Sequence, residues 1–394
     1  MMDSKKSLSN SQHLTIFLPT LNGGGAERVM VTLANAIAAR GFAVDLVLAM
    51  AQGPYLKEIS PAVRVIDLKV GRVIKALFPL IRYLQRERPV AMLSAMGHAN
   101  VVALLARKLS RVPTRVAVSE RGLISGEHAL ACGVATHLNY WLIPLLYPGA
   151  DGICAVSQTA AQDLATFARL PLQRVQHIYN PFDLARISQL AAEPLDHPWF
   201  APGQPPVLLA IGRMNEAKDF PALIHAFAQL RQRRAARLVI LGEGELRSEL
   251  EALLVQLGLG SDTVQLPGFV VNPFAWLARC SLFVLSSRRE GLPGALIEAM
   301  ACGAPVVSTN CVSGPDEILQ GGRWGRLVPV GDVDALAQAM AATLDTPPAE
   351  RPDVRQRAAD FEQERAVDAY LRILGLPTHP KGSVAVTEKN NESL

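Results

Sequence analysis

The sequence predicts an α/β protein made of two doubly wound parallel sheets, and three observations carry that expectation. Apolar runs of strand length alternate with segments of helical period from residue 14 onward, joined by short connections. The alternation stops at a proline-rich break, EPLDHPWFAPGQPP at 193–206, and then starts again. The chain's 394 residues exceed what one ordinary core fills, and 49% hydrophobic with 19% charged residues describes a packed globular protein.

The elements follow in order. LTIFLPTL (14–21) reads as a buried parallel strand, and 26–39 as a helix with Val29, Leu33 and Ile37 on one face. FAVDLVLAM (42–50) is a second strand, 72–87 a basic and apolar helical stretch, and AMLSAM (91–96) a third strand. A helix over 98–109, the strand RVAVSE (115–120), the strand DGICAVS (151–157) and a helix over 158–167 continue the first half. VQHIYNPFD (175–183) leaves it through an extended Asn-Pro turn. The second half repeats the scheme with VLLAIG (207–212), a helix at 219–233, RLVILG (237–242), a helix at 245–257 and TVQLPG (263–268). LFVLSS (282–287), a helix at 294–302 and PVVST (305–309) complete it. A last helix is expected over 355–374, and the polar tail 376–394 reads as disordered. Such sheets bind ligands at the carboxyl ends of their strands, and two of them facing each other leave a cleft.

The net charge of +4 hides an asymmetry: residues 1–180 carry 19 Lys/Arg against 10 Asp/Glu, and residues 181–394 carry 20 against 25. A basic first half suits phosphates or anionic lipid surfaces, or is a solvated face. Few aromatics and no recognition motif accompany it, which argues against nucleic acid. The five cysteines form no CxxC pair and no His cluster at metal-ligand spacing, a pattern expected of a reduced, cytoplasmic protein. The N-terminus MMDSKKSLSNSQ has no signal-peptide core. The charge-free stretch His128–Ala150 is 23 residues long, yet its two His, Asn139, Thr136 and Pro144 favour a buried helix over a membrane span.

Four motifs carry chemistry. LPTLNGGGAERVM (18–30) is neither GxGxxG nor a P-loop, and no acidic residue closes the second strand. It is a tight turn before a helix, or a place where amides at the helix start meet an anion or a sugar. AIGRMNEAKDF places Gly212 at a strand end with Arg213 and Lys218 in the loop beyond, two cations able to neutralise a diphosphate without a metal. LVILGEGELRSELE ends a strand in Gly242-x-Gly244, a pattern that also serves a plain tight turn. SSRREGLPGALIEAMACGAPVVST sets Glu290 and Glu298 eight apart with neutral residues between, so that both can enter one cleft and accept sugar or ribose hydroxyls. GDVD at 331–334 has carboxylates two apart but reads as a helix start.

In this order the motifs resemble the retaining glycosyltransferases of family 4, with the GT-B fold of two facing Rossmann-like domains and an interdomain cleft. The E-x7-E spacing followed by EAMACGAPVV carries the resemblance, together with AVSQTAAQDL, YNPFD, GRMNEAKDFPALIHAFAQL, LGEGELRSELE and LPGF. It covers about three-quarters of the chain. GGGAERV, EGLP and SGPDEIL are similar to the subset that builds bacterial surface polysaccharides, O-antigens and lipid-linked oligosaccharides. The resemblance implies an acceptor domain at 1–181 with a crossing helix at 355–375, and a nucleotide-sugar domain at 182–350. It also implies transfer of a hexose or N-acetylhexosamine, from a UDP-sugar in many relatives, with no metal or other cofactor.

Residue by residue, it implies that Arg213 and Lys218 hold the donor diphosphate and the departing charge. Glu298 matches the ribose-binding carboxylate and Glu290 the one near the donor sugar. Leu292, Pro293, Gly294, Ala295 and Leu296 would line the sugar and phosphate pocket by their backbone, with the base near Gly242, Gly244 and LPGF. Gly24 or Gly25 would approach the phosphate or the acceptor. Many relatives carry a His after the fourth strand, where this chain has Glu120 and Arg121, so those two and His98 of SAMGHAN are acceptor-side candidates. The acceptor would be a glycan or a polyprenyl-linked saccharide. RVIKALFPLIRYLQRER, with cations beside an apolar stripe, fits contact with the cytoplasmic face of the inner membrane or an ordinary sheet-covering helix. The alternatives to a transferase are a nucleotide-sugar-binding protein or another GT-B enzyme, such as an epimerase or phosphorylase. Intact Arg213, Lys218, Glu290 and Glu298 weigh against the first, and the second lacks this E-x7-E loop or needs a cofactor lysine that the sequence does not offer.

Overall fold

The computed structural model describes residues 13–22, 24–129 and 134–379. The chain divides into two compact units: Met1–Val118 with Gly149–Ile153 and Val367–Leu394, and Ser119–Pro148 with Cys154–Ala366. Two parallel sheets form the scaffold. The seven-stranded sheet contains β1 (His13–Leu18), β2 (Ala43–Leu48), β3 (Val63–Asp67), β4 (Ala91–Ala95), β5 (Arg115–Glu120), β6 (Gly152–Ala155) and β7 (Gln176–His177), in the order β3-β2-β1-β4-β5-β6-β7. The six-stranded sheet contains β8 (Val207–Ile211), β9 (Arg237–Leu241), β10 (Val264–Gly268), β11 (Leu282–Leu285), β12 (Val306–Thr309) and β13 (Arg326–Val328), in the order β10-β9-β8-β11-β12-β13. In the second sheet the strand order reverses between β8 and β11. Chains leaving these two strands diverge there, which opens a crevice at their carboxyl ends.

The strands are nearly unbroken apolar runs because helices cover both faces of a parallel sheet. In the first unit these helices are α1 (Gly25–Ala39), α2 (Leu77–Glu87) and α3 (Gly97–Ser110). The second unit begins with the short α4 (Ile124–Ala129), α5 (Val134–Leu146) and α6 (Gln158–Phe167), followed by α7 (Leu184–Ala191), α8 (Phe220–Arg231), α9 (Arg247–Gln256), α10 (Phe274–Leu277), α11 (Gly294–Ala301), α12 (Pro315–Leu319), α13 (Val333–Asp345) and α14 (Val354–Ala358). The chain ends its described part in α15 (Gln363–Ile373). Leu208, Ala210, Phe227, Leu238, Ile240, Leu282 and Val284 are completely or almost completely buried in the second core, each large side chain contributing about 1.5–3 kcal/mol. Side-chain caps set several helix starts: Ser157 accepts from the Ala160 amide, Asp183 from Arg186, and Asp332 from Ala335. Asp332 thereby gives GDVD its helix-start role.

Four departures from the sequence reading have local causes. β3 went unread because VRVID is an edge strand with three exposed residues, so it lacks the apolar run of a buried strand. The stretch 128–150 is not a buried helix: α4 and α5 divide it, and Leu138, Trp141 and Leu145 at i, i+3 and i+7 are 55%, 72% and 75% exposed. The expected helix over 355–374 is α14, a 3-10 turn at Ala359–Phe361, and α15. Phe182 breaks it, donating its amide to the Phe361 carbonyl at 3.1 Å and accepting from the Gln363 amide at 3.0 Å. The helix expected at 72–87 begins as a 3-10 turn, Val73–Ala76. Residues 380–394 of the tail, Cys132 and Gly23 lie outside the described residues.

Candidate active site at the carboxyl edge of the second sheet

The loop after β8 starts at Gly212, whose amide donates to the Leu241 carbonyl at 3.0 Å. A Cβ at Gly212 would meet the Lys218 Cε at 2.9 Å, so the missing side chain seats the lysine's stem. The β9 loop closes onto this one: Met214 N donates to Glu243 O at 2.9 Å and Leu246 N to Met214 O at 3.0 Å. Gly242 has φ +130, and a Cβ there would stand 2.0 Å from the Gly212 carbonyl oxygen. At Gly244 the clash would be with the Met214 carbonyl at 2.4 Å. The Gly-x-Gly pattern is thus required by two backbones zipped side by side.

Lys218 and Glu290 are brought together. Lys218 Nζ lies 2.6 Å from Glu290 Oε1, and the Ser287 hydroxyl donates to the same oxygen at 2.7 Å. The partners' loops are tied as well: Ser286 donates to the Lys218 carbonyl at 2.7 Å, and Arg288 N to Ala217 O at 2.8 Å. Asp219, a non-glycine residue with φ +47 at the start of α8, is buried and accepts from Arg288 Nε at 2.7 Å. Arg213 is exposed and pairs with Glu245 at 3.2 Å. Both cations read as diphosphate ligands therefore rest on carboxylates here. The Thr309 hydroxyl donates to the Ser287 carbonyl at 2.6 Å, which fixes the end of β11 from β12. Burial and then the Glu290 charge push the Cys311 thiol up to about 12, so Cys311 stays protonated and is no nucleophile.

Leu292 and Pro293 are buried, and α11 begins at Gly294 with no side chain capping its amides. Gly294, Ala295 and Leu296 form that first turn. Glu298 follows one turn on, half-buried, with its charge felt at Cys302. The loop before α11 has its own anchors. A Cβ on Gly291 would stand 2.3 Å from the Arg121 carbonyl oxygen, and the Ser313 hydroxyl donates to the Gly291 carbonyl at 2.7 Å. Ser313 Oγ also lies 2.8 Å from Ser157 Oγ. Four residues further along the chain, Glu317 accepts from the Gln158 amide at 2.9 Å and from the Tyr179 hydroxyl at 2.7 Å.

The acceptor-side candidates differ in placement. Glu120 is buried and accepts from the Tyr147 hydroxyl. Arg121 donates to Asn180 Oδ1 at 2.6 Å, which joins the SERG loop to the YNPFD turn. His98 stands in the first turn of α3, where partial desolvation of the ring lowers its pKa below the ordinary imidazole value. Gly24 and Gly25 open α1. A Cβ on Gly25 would meet nothing within 4 Å and one on Gly24 only the flexible Glu27 side chain. The close approach in this loop region belongs to Gly53, at φ +120, where a Cβ would lie 1.9 Å from the Leu21 carbonyl. Ser287 and Thr309 fall within SSRREGLPGALIEAMACGAPVVST but are given no role by it, since lone hydroxyls near glycines are common in any loop. SGPDEIL marked Ser313 and Glu317 only as part of a resemblance. Among the described residues no group of three His, Cys, Asp or Glu is placed to hold a metal ion.

Residues 23–186 match the model of Glycosyltransferase Family 4, and residues 205–346 that of Glycosyl transferases group 1. Over 92% of this chain and 100% of its own length, a Campylobacter jejuni protein is 31% identical: the N-acetylgalactosamine-N,N'-diacetylbacillosaminyl-diphospho-undecaprenol 4-alpha-N-acetylgalactosaminyltransferase. The chain belongs to glycosyltransferase family 4. It is a glycosyltransferase of the GT-B fold. The lipopolysaccharide core biosynthesis glycosyltransferase LpsE of Rhizobium meliloti is 28% identical over 89% of this chain and 96% of its own. The Anabaena HepE structure in complex with UDP and glucose superposes with a TM-score of 0.74 at 20% identity, over 92% of this chain and 99% of that one. For this family 4 glycosyltransferase, the paired Lys218 and Glu290 at the strand switch point are the centre of the candidate site.

Proposed function

We propose that the protein transfers a hexose or N-acetylhexosamine, with retention and without a metal, from a UDP-sugar to a growing bacterial glycan carried on a polyprenyl diphosphate. The observation that carries this reading is the Lys218–Glu290–Ser287 cluster beside the uncapped start of α11. A cation and open helix amides suit a diphosphate, and the adjacent carboxylate suits sugar hydroxyls. The donor's anomeric C–O bond breaks as the acceptor hydroxyl bonds to the same face. The negative charge then grows on the departing diphosphate, which takes the acceptor proton while Lys218 and Arg213 hold it. Glu298 receives the ribose hydroxyls, and the β9 and β10 loops receive the base. Gly25, with open space where a Cβ would stand, admits donor or acceptor atoms, as does Gly24 once the flexible Glu27 side chain moves aside. The acceptor in the Campylobacter relative's name is a diphospho-undecaprenol saccharide, and the HepE complex contains UDP, which supports both substrate classes.

Among the described residues no helix is long and apolar enough to cross a membrane. α2 buries Leu80, Tyr83 and Leu84 against its sheet, while the turn before it and its own outer face expose Ile74 and Phe78 beside Lys75, Arg82 and Arg86. That face suits contact with anionic lipid at the cytoplasmic surface of the inner membrane.

The test is a donor screen with the full chain, a polyprenyl-diphosphate-linked oligosaccharide acceptor, and UDP- and GDP-sugars, with the product's anomeric configuration read by NMR. The proposal expects UDP release from one hexose or N-acetylhexosamine donor, an α-linked product from an α-donor, and unchanged rates with chelator. An inverted product overturns retention, loss of activity with chelator overturns metal independence, and transfer from GDP-sugars alone overturns the donor class.

A further inference from the structure

A cavity of about 250 Å³ opens in the second unit away from the carboxyl edge. Its walls include Pro305 and Val306 at the start of β12 and Arg326 at the start of β13, so it lies at the amino ends of these strands, across the sheet from Lys218 and Glu290. The remaining wall is the Gly322–Arg326 loop and the segment from Thr346 to Val354. The loop is held in place: a Cβ on Gly325 would come within 2.4 Å of the Val306 side chain, and Trp324 Nε1 donates to Gln320 Oε1 at 2.9 Å. Trp324 is therefore a fixed, half-buried aromatic plate, and the Arg323 guanidinium stacks 5.0 Å from its ring.

The charge around this plate is one-sided. Arg323, Arg326 and Arg351 line the cavity against the single acidic residue Glu350. Arg351 has a structural task, donating to the Thr346 and Leu344 carbonyls at 2.8 and 3.3 Å and so closing the end of α13. No ion pair joins Arg323 or Arg326 to a carboxylate among the described residues. Packing accounts for the glycines and for Arg351, and leaves two guanidinium groups without a carboxylate partner, that of Arg323 stacked on the aromatic plate, at a ring-sized cavity. An indole offers a flat apolar face to the C–H side of a pyranose, and guanidinium groups bind a carboxylate or phosphate in a fork.

We infer that the Trp324 cavity is a second saccharide site, separate from the reaction centre, which takes one acidic sugar ring bearing a carboxylate or a phosphate. Trp324 supplies the stacking face, and Arg323 and Arg326 hold the anion. Such a site would retain an acidic glycan on the enzyme without touching the donor.

The test uses saturation-transfer NMR titrations of the full chain with methyl glucuronide, glucose 6-phosphate and methyl glucoside, with inorganic phosphate titrated in as a competitor whose binding is read by displacement of the acidic sugars. Both acidic sugars are expected to bind, about tenfold more tightly than the neutral one. Trp324→Ala and the double variant Arg323→Gln/Arg326→Gln should each weaken them about tenfold or more, with melting temperature and sugar transfer unchanged. Inorganic phosphate binding as well as glucose 6-phosphate, together with indifference to Trp324→Ala, would reduce the site to a plain anion patch and overturn the inference. Equal binding of methyl glucoside overturns the acidic class. Absence of binding, or binding untouched by either variant, overturns the site.

Discussion

The two sheets of this protein spend their charged residues in opposite ways. At the carboxyl edge of the six-stranded sheet, Lys218 and Glu290 are about four-fifths buried and meet at 2.6 Å in the crevice where strands diverge. In the first unit the densest network sits inside the fold, around Asp45 of β2. Asp45 is buried, accepts from Arg64 of β3 at 2.7 and 2.5 Å and from Tyr83 of α2 at 2.5 Å, and lies 3.0 Å from His13 Nε2 of β1. One cluster lies where a ligand can exchange for a partner; the other clamps an edge strand and a helix to their sheet. The same residue types serve chemistry or stability according to whether their loop or their strand carries them.

The largest expected effect separates these roles at the candidate site. Lys218→Ala should reduce turnover about 10²–10³-fold, the size of losing one preorganised charge-stabilising group, while the melting temperature falls little. Steady-state transfer assays and thermal unfolding of the same variant check both halves. Near wild-type transfer would place the departing charge elsewhere.

Asp45→Ala should show the reverse pattern, losing about 1–3 kcal/mol of unfolding free energy because the buried Tyr83 hydroxyl loses its carboxylate acceptor, while the half-exposed Arg64 keeps Glu87. Burial alone would raise the Asp45 pKa, but the adjacent His13 ring and hydrogen bonds from Arg64 and Tyr83 outweigh it and hold the carboxyl well below the usual carboxylate range. A depressed folded-state pKa gives stability that is fully present above the unfolded value near 4 and is lost as pH falls below it. Urea unfolding between pH 7 and pH 3 should therefore show the wild-type protein losing more stability than the variant. Parallel pH profiles would mean that the network does not stabilise the ionised form.

Both networks also mark what the sequence could disclose. The strands of the second core were legible because VLLAI and LVILG are continuous apolar runs, and Lys218 and Glu290 because motif spacing placed them at strand ends. The Asp45 clamp was not, since its members lie in four separate elements and each alone resembles a surface residue. β3 and the short β7 and β13 were missed because two to five residues at sheet edges carry little periodicity. The exposure of α5 was missed for another reason: lack of charge in a sequence says a segment is apolar, not what covers it.

A smaller effect belongs to Glu298, the carboxylate proposed to receive the ribose hydroxyls. Glu298→Ala should weaken UDP binding about tenfold or more, the loss of a charged acceptor for two hydroxyls, with little change in stability because Glu298 is only half-buried. Calorimetric titration of UDP into both chains measures it, and uridine without its ribose hydroxyls should not distinguish them. Unchanged UDP affinity would remove Glu298 from the donor site.

The smallest effect tests whether hydroxyls that bear no charge hold the candidate site in shape. Ser313 donates to the Gly291 carbonyl at 2.7 Å and lies 2.8 Å from Ser157 Oγ, so it fixes the peptide that follows Glu290 and precedes α11. Ser313→Ala removes one hydrogen bond worth about 1 kcal/mol and leaves a carbonyl to find another donor. The donor KM should rise about fivefold with kcat nearly constant, since the loop must be ordered again each time donor binds. Ser157→Ala should act in the same direction. The double variant should be no worse than Ser313→Ala, because both changes release one loop. Additive losses, or a fall in kcat alone, would mean that Ser313 acts on the fold or on the chemical step and not on the loop between Glu290 and α11.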